Sequence, residues 1–191
     1  MTKSNVAQCE VLPFTLYTGP QIQAIDAAAI ASGVPGIVLM ERAAAASFSV
    51  LRENWPDAKA IFIVCGVGNN GGDGLVLARL ALEAGLKPTV VLCGAPESMI
   101  GDAHTTLVLA EQAGVSIVPH TPGQFGCADV IVDALFGIGI SRSVQGAAHT
   151  VVTAMNEAQA PVLGMDTPSG LHPDTPPLFG VAVRCAVTVT F

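Results

Sequence analysis

Charged side chains are scarce in this sequence, at 12% of its 191 residues, about half the ~25% typical of soluble domains. Hydrophobic residues, at 51%, take their place, which excludes a disordered chain and predicts a large buried core. Positive charge is scarcer still: eight Lys and Arg face fifteen Asp and Glu, for a net charge of −7, the wrong sign for a phosphate-backbone binder. Aromatics make up 5%, too few for a base-stacking surface, so no nucleic-acid partner is expected. Long apolar runs are missing as well, despite a mean hydropathy of +0.58. Gly, Pro, Ser or a charge interrupts each one before the ~18 to 20 residues of a spanning helix, so no membrane association is expected. Met1 to Glu10 carries one lysine and no apolar run before its acid, unlike a secretory signal. A cytoplasmic location is expected.

Paired metal or disulfide motifs are also lacking. Cys9, Cys65, Cys93, Cys127 and Cys185 are an odd number at wide spacing with no C-x-x-C, which supports neither a zinc site nor a disulfide framework. Cys65 and Cys93 sit in or beside apolar runs, where a thiol acts as a small core residue. The histidines, His104, His120, His149 and His172, show no ligand spacing.

What is present is a rhythm. An alanine-rich helical pattern begins at Gln21 and stops near Ser32-Gly33, and a second runs from Ile37 to about Asn54, rich in Ala, Leu and Met. From Ala60, short apolar runs alternate with helix-length segments. The expected strands are Ala60 to Cys65, Thr89 to Leu92, Val115 to Val118, Val130 to Asp133, Val162 to Met165 and a terminal Val181 to Phe191. Between them lie expected helices Gly74 to Ala84, Met99 to Ala113 and Ala147 to Ala158. Strands fed by helices imply βαβ units, and continuous apolar strands imply a sheet covered on both faces. The expectation is one α/β domain over residues 1–191: a Rossmann-like three-layer αβα sandwich with a mainly parallel central sheet, preceded by two N-terminal helices.

In such a sheet ligands bind beyond the carboxyl ends of the strands, and three loops there carry unusual residues. The first is Gly66-Val67-Gly68-Asn69-Asn70-Gly71-Gly72-Asp73-Gly74, whose glycines permit close backbone approach and whose following helix offers free N–H groups. It satisfies G-x-G-x-x-G, but the ribose-binding acid expected about 20 residues later is absent, since the second strand ends Leu92-Cys93-Gly94. An ordinary NAD dehydrogenase is disfavoured. Asp73 reads either as a helix-start residue or as part of a binding loop. The second loop runs from Asp133 through Gly137-Ile138-Gly139 to Ser141-Arg142-Ser143. An acid at the end of an apolar strand is costly unless paired or bound to a cation, so Asp133 is a loop-organising acceptor or a ligand. The third, Asp166-Thr167-Pro168-Ser169-Gly170, sets a carboxylate and a hydroxyl three positions apart on a stiff turn. Either both face the crevice or Asp166 closes an Asx turn onto its own backbone.

Together, Gly68-Asn69-Asn70-Gly71-Gly72-Asp73-Gly74, Asp133-Ala134-Leu135-Phe136-Gly137 and Asp166-Thr167-Pro168-Ser169-Gly170, in that order, resemble the YjeF N-terminal domain of the NAD(P)H-hydrate epimerase family. Leu39-Met40-Glu41-Arg42 and Thr188-Val189-Thr190-Phe191 extend the resemblance over about residues 18 to 191. It implies an isomerase that interconverts the R and S forms of hydrated NADH and NADPH (NADHX and NADPHX), a metabolite-repair step in which a partner dehydratase repairs only the S form. It further implies that Asn69, Asn70, Gly71, Gly72 and Asp73, with Gly137, Ile138, Gly139, Ile140, Ser141, Arg142 and Ser143, hold the dinucleotide. By the same resemblance Asp166 contacts substrate as the general acid/base. Asn70, Asp133 and Ser169 match ligands of one potassium ion per subunit, a hard oxygen set suited to an s-block cation. An ADP- or ATP-dependent dehydratase, separate or fused, is the implied functional partner, and a homodimer the implied assembly. Thr167 stands where a branched aliphatic is commoner, and the family's closing segment after the T-V-T-F strand is not in this chain. The competing reading is a non-catalytic ligand- or protein-binding module of the same fold.

Overall fold

The computed structural model describes residues 17–140, 143–172, 174 and 180–191. Six strands, β1 (Ala60–Cys65), β2 (Lys87–Leu92), β3 (Ser116–Val118), β4 (Val130–Ala134), β5 (Val162–Met165) and β6 (Val187–Val189), form one sheet in the order β3-β2-β1-β4-β5-β6. Every pairing is parallel. The helices are α1 (Gly19–Ala31), α2 (Gly36–Asn54), α3 (Asn69–Glu83), α4 (Gly101–Gln112) and α5 (Gly146–Glu157).

Successive residues of β1 point to opposite faces, and both faces are dry. Ile61, Ile63 and Cys65 join Met40 and Leu51 of α2, Leu75 and Ala78 of α3 and Leu107 of α4 in one cluster. Phe62 and Val64 join Val151, Val152 and Met155 of α5 and Phe125 in the other. The α/β sandwich expected from the uninterrupted apolar strands is therefore observed, with α2, α3 and α4 on one face and α5 on the other. No helix among the described residues is long and apolar enough to cross a membrane.

Two elements differ from expectation by more than two residues. Helix α3 begins at Asn69 rather than Gly74, because the glycines that lower helix propensity are what let its first turns press against the end of β1. At the other end, only Val187–Val189 of the Val181 to Phe191 run forms a strand, paired with β5 at the sheet edge. The backbone before it is bonded elsewhere: Asn156 of α5 donates to the Ala182 carbonyl at 2.8 Å and accepts from the Arg184 N–H at 2.8 Å, while the Val183 N–H donates to the Ser169 carbonyl at 2.9 Å.

The chain winds outward from β1 through β2 to β3, then returns to the other side of β1 for β4, β5 and β6. The reversal lies between β1 and β4, and the crevice beyond their carboxyl ends is where a doubly wound sheet offers a site.

Candidate active site

The connection from β1 to α3 is only Gly66-Val67-Gly68. A Cβ on Gly66 would strike the Leu135 carbonyl and one on Gly71 the Gly66 carbonyl, both backbone atoms that cannot yield. Glycine at these two positions lets α3 start directly over the sheet. Its N-cap is Gly68, with no capping side chain, so the first N–H groups of α3 are left for a ligand or solvent.

Asn70, Asp133 and Ser169 come from three different strand-end segments and meet around Phe136. Asn70 Nδ2 donates to the Phe136 carbonyl at 2.8 Å and to the Met165 carbonyl at 3.3 Å. The Ser169 hydroxyl donates to Asp133 Oδ1 at 2.7 Å and accepts from the Phe136 N–H at 2.8 Å. Asp133 also accepts from the Ser169 N–H at 2.8 Å and the Leu135 N–H at 3.2 Å. Asp133 thus organises the loop, whatever else it does. Burial raises its pKa to about 6, and these hydrogen bonds hold it from rising further. The Asn70 Oδ1 atom is buried without a hydrogen-bond partner among the described residues.

Asp166 adopts φ 64°, the one non-glycine residue with positive φ among those described, a conformation that Asp tolerates but rarely takes. Its carboxylate accepts from the Ile138 N–H at 2.7 Å, a bond to a different loop, so the Asx-turn alternative is not what forms. Gly137 makes the approach possible, since a Cβ there would collide with Asp166 Oδ2. Burial raises the pKa of Asp166, the Ile138 N–H opposes that rise, and the charge of Asp26 adds to it.

Asp73 is the fifth residue of α3, so it is not the helix-start residue considered from sequence. It is 9% exposed, and its carboxyl makes no hydrogen bond or ion pair with any described residue. Burial, then the charges of Asp166 and Asp26, push its pKa up to about 8.

A cavity of ≈ 620 Å³ opens over these groups, within the usual range for small-molecule sites. Of the residues singled out from sequence, Asn69, Asn70, Asp73, Gly137, Ile138, Gly139, Ile140 and Asp166 line it. Gly71 and Gly72 are buried beneath, Gly72 against Met40 and Ala103. Asp133 and Ser169 lie below the floor, 0% and 1% exposed. Ser143 is exposed outside the cavity, and Ser141 and Arg142 lie outside the described residues. The outer wall went unrecognised in the sequence. It is built by Ile22, Asp26 and Ile30 of α1 and by Leu39, Arg42 and Ala43 of α2. Spacings of four residues were the available signal, but alanine on every side of α1 hides its faces.

Cys9 lies outside the described residues, and the described thiols are not placed for chemistry at this site. Cys65 is fully buried with its pKa pushed up by burial, and burial raises Cys185 to about 12. No cluster of three or more His, Cys, Asp or Glu able to hold a metal occurs among the described residues.

Known proteins resemble the chain at both levels. It is 42% identical over 176 residues to the "Bifunctional NAD(P)H-hydrate repair enzyme Nnr" of Coxiella burnetii, covering 92% of this chain and 36% of that one. It is 40% identical over 175 residues to the "NAD(P)H-hydrate epimerase" of Limosilactobacillus fermentum, covering 91% and 84%. The chain therefore spans about a third of the first relative and most of the second. Among solved structures, yeast ynu0, YNL200c, superimposes with a TM-score of 0.80 at 24% identity, covering 92% of this chain and 79% of that one, which speaks to the fold. Residues 36–191 match the family described as YjeF-related protein N-terminus, and on that match, together with these relatives, the chain belongs to this family.

Proposed function

We propose that the protein is an NAD(P)H-hydrate epimerase, interconverting the R and S forms of NADHX and NADPHX. The observation that carries this reading is the Asp166 carboxylate. It is set in a rare backbone conformation and fixed by the Ile138 N–H, on the wall of a cavity beyond the strand ends. The kinship with relatives named for this activity points the same way.

The substrate carries a hydroxyl at C6 of a reduced nicotinamide, next to the ring nitrogen. Protonating that hydroxyl lets it leave as water while the nitrogen lone pair closes an iminium cation, and water returning on the opposite face inverts the centre. Asp166 is the general acid/base for this exchange, help typically worth about 10² to 10⁴-fold, and its negative charge also favours the cation. The N–H groups of α3 at Asn69 and Asn70, without partners among the described residues, and the segment from Gly137 to Ile140 would hold the dinucleotide, as helix N-termini hold phosphates.

A potassium ion, one per subunit, fits the residues present. Asn70 Oδ1 is an orphaned buried acceptor, and an orphan of that kind is costly unless something donates to it or a cation meets it. Asn70, Asp133 and Ser169 would hold the ion, with backbone carbonyls, and its charge would offset the acids around the site. The relative named a bifunctional NAD(P)H-hydrate repair enzyme, of which this chain spans 36%, supports a second repair activity as functional partner, which we take to be the ADP- or ATP-dependent dehydratase. We take a homodimer as the assembly, with exposed Tyr17 and Ile25, at 54% and 48%, as the apolar surface on the α1 side that a second copy would cover.

The test is to incubate the protein with R-enriched NADHX or NADPHX in heavy-oxygen water and follow epimer composition by chromatography. The expected result is enzyme-dependent approach to the epimer equilibrium, with one solvent oxygen entering at each inversion. A non-catalytic binding module would leave the buffer rate unchanged.

A further inference from the structure

Inverting C6 by departure and return of water needs a proton delivered on one face of the ring and a proton taken up on the other. A single fixed carboxylate reaches one face. Asp166 is such a fixed group, held through the Ile138 N–H, a hydrogen bond that favours its charged form. The structure contains a second carboxyl on a different element of the same cavity. Asp73 projects from α3, is 9% exposed, and has neither hydrogen bond nor ion pair among the described residues.

Asp73 performs no evident structural task. It does not cap α3, whose N-cap is Gly68, and it bonds no loop among the described residues, so a role in shaping the nucleotide-binding turn leaves its side chain unexplained. A carboxyl kept dry and unpaired is costly as an anion and cheap as the neutral acid. The groups sharing the cavity reinforce this: Asp26 from α1, Asp102 from α4 and Asp166 are the other carboxyls of its lining, and Arg42 of α2 is the one basic residue there among those described. Two carboxyls in one site, one dry and unpaired among the described residues and one held by a backbone N–H, are differentiated as an acid and base pair is.

We propose that Asp73 is a second catalytic residue, transferring a proton to or from the C6 oxygen on the face of the ring that Asp166 does not serve. This rests on the epimerase reading. In one direction the Asp73 proton passes to the C6 hydroxyl, the C6–O bond breaks, water departs and the ring nitrogen lone pair forms the iminium bond. Water then adds from the other face, its oxygen bonding C6 and its proton passing to Asp166. The reverse direction exchanges the two roles, and nothing is oxidised or reduced.

The experiment compares wild type, Asp73→Asn, Asp73→Glu and Asp166→Asn in steady-state epimerisation of purified R-enriched NADHX. Asp73→Asn removes no hydrogen bond to any described residue, so an unchanged far-UV spectrum is expected. Its kcat should fall by about 10²-fold or more with KM near that of wild type, and Asp73→Glu, which keeps an acid, should recover part of the loss. A raised KM with wild-type kcat in Asp73→Asn, beside an inactive Asp166→Asn, would make Asp73 a binding residue and overturn this inference alone. A wild-type protein inactive on both NADHX and NADPHX would overturn the epimerase reading and this one with it.

Discussion

Asp166 and Gly137 act as one unit. The carboxylate can sit over the Ile138 N–H only because residue 137 has no side chain. Gly137→Ala should therefore cost activity while leaving the fold intact, since the displaced group lies at the cavity wall and not in either core cluster. Activity assays paired with melting curves check this, and a fully active Gly137→Ala would show that the Asp166 position is not critical. Asp73 gives a prediction about pH. Its native pKa is about 8 against an ordinary 3.8, so across that interval the native state holds a proton that the unfolded chain has released. Stability must then fall as pH rises, and the contribution is spent above about 8. Asp133 acts in the same sense up to about 6, so the upper half of the window belongs chiefly to Asp73. Melting temperatures of wild type should decline through it, and those of Asp73→Asn should decline less. Equal slopes would mean that Asp73 is not held neutral.

Helix α3 shows why part of this site could be read from sequence and part could not. Asp133 and Asp166 were legible because an acid closing a wholly apolar strand is chemically conspicuous. The start of α3 was not, because Gly71, Gly72 and Gly74 argue against helix by local propensity, and only tertiary contact reverses that. The contrast can be measured. Gly71→Ala gains about 1 kcal/mol of helix propensity but drives a Cβ into the Gly66 carbonyl, and overpacking of this kind costs about 1–3 kcal/mol. Gly68→Ala meets nothing within 4 Å. Denaturant melts should show Gly71→Ala destabilised more than Gly68→Ala, which meets no clash and loses only glycine's advantage over alanine at an N-cap. Two equally stable variants would contradict the packing described for the β1–α3 junction. Helix α1 failed to declare its role for the opposite reason. Its Ile and Ala residues lie on all sides and hide the four-residue spacing of Ile22, Asp26 and Ile30 along the cavity wall.

Over the whole molecule, the sheet places three loops at one end, and the buried polar network of Asn70, Asp133 and Ser169 fastens them together beneath the cavity. If a potassium ion completes that network, it binds the folded chain alone and must raise its melting temperature by mass action, about 2.7 kcal/mol at a hundredfold excess over Kd. Wild type should melt higher in potassium than in lithium, and Asn70→Ala should lose the difference. An unchanged melting temperature across the two salts would remove the ion from the account. The central claim is that this cavity inverts a hydrated nicotinamide through Asp166. Its most direct measurement is the rate at which R-enriched NADHX gains the S form, with wild type and Asp166→Asn side by side. The account predicts enzyme-dependent epimerisation by wild type and a loss of at least about 10²-fold in Asp166→Asn that still binds the dinucleotide. Epimerisation by Asp166→Asn at the wild-type rate would contradict it.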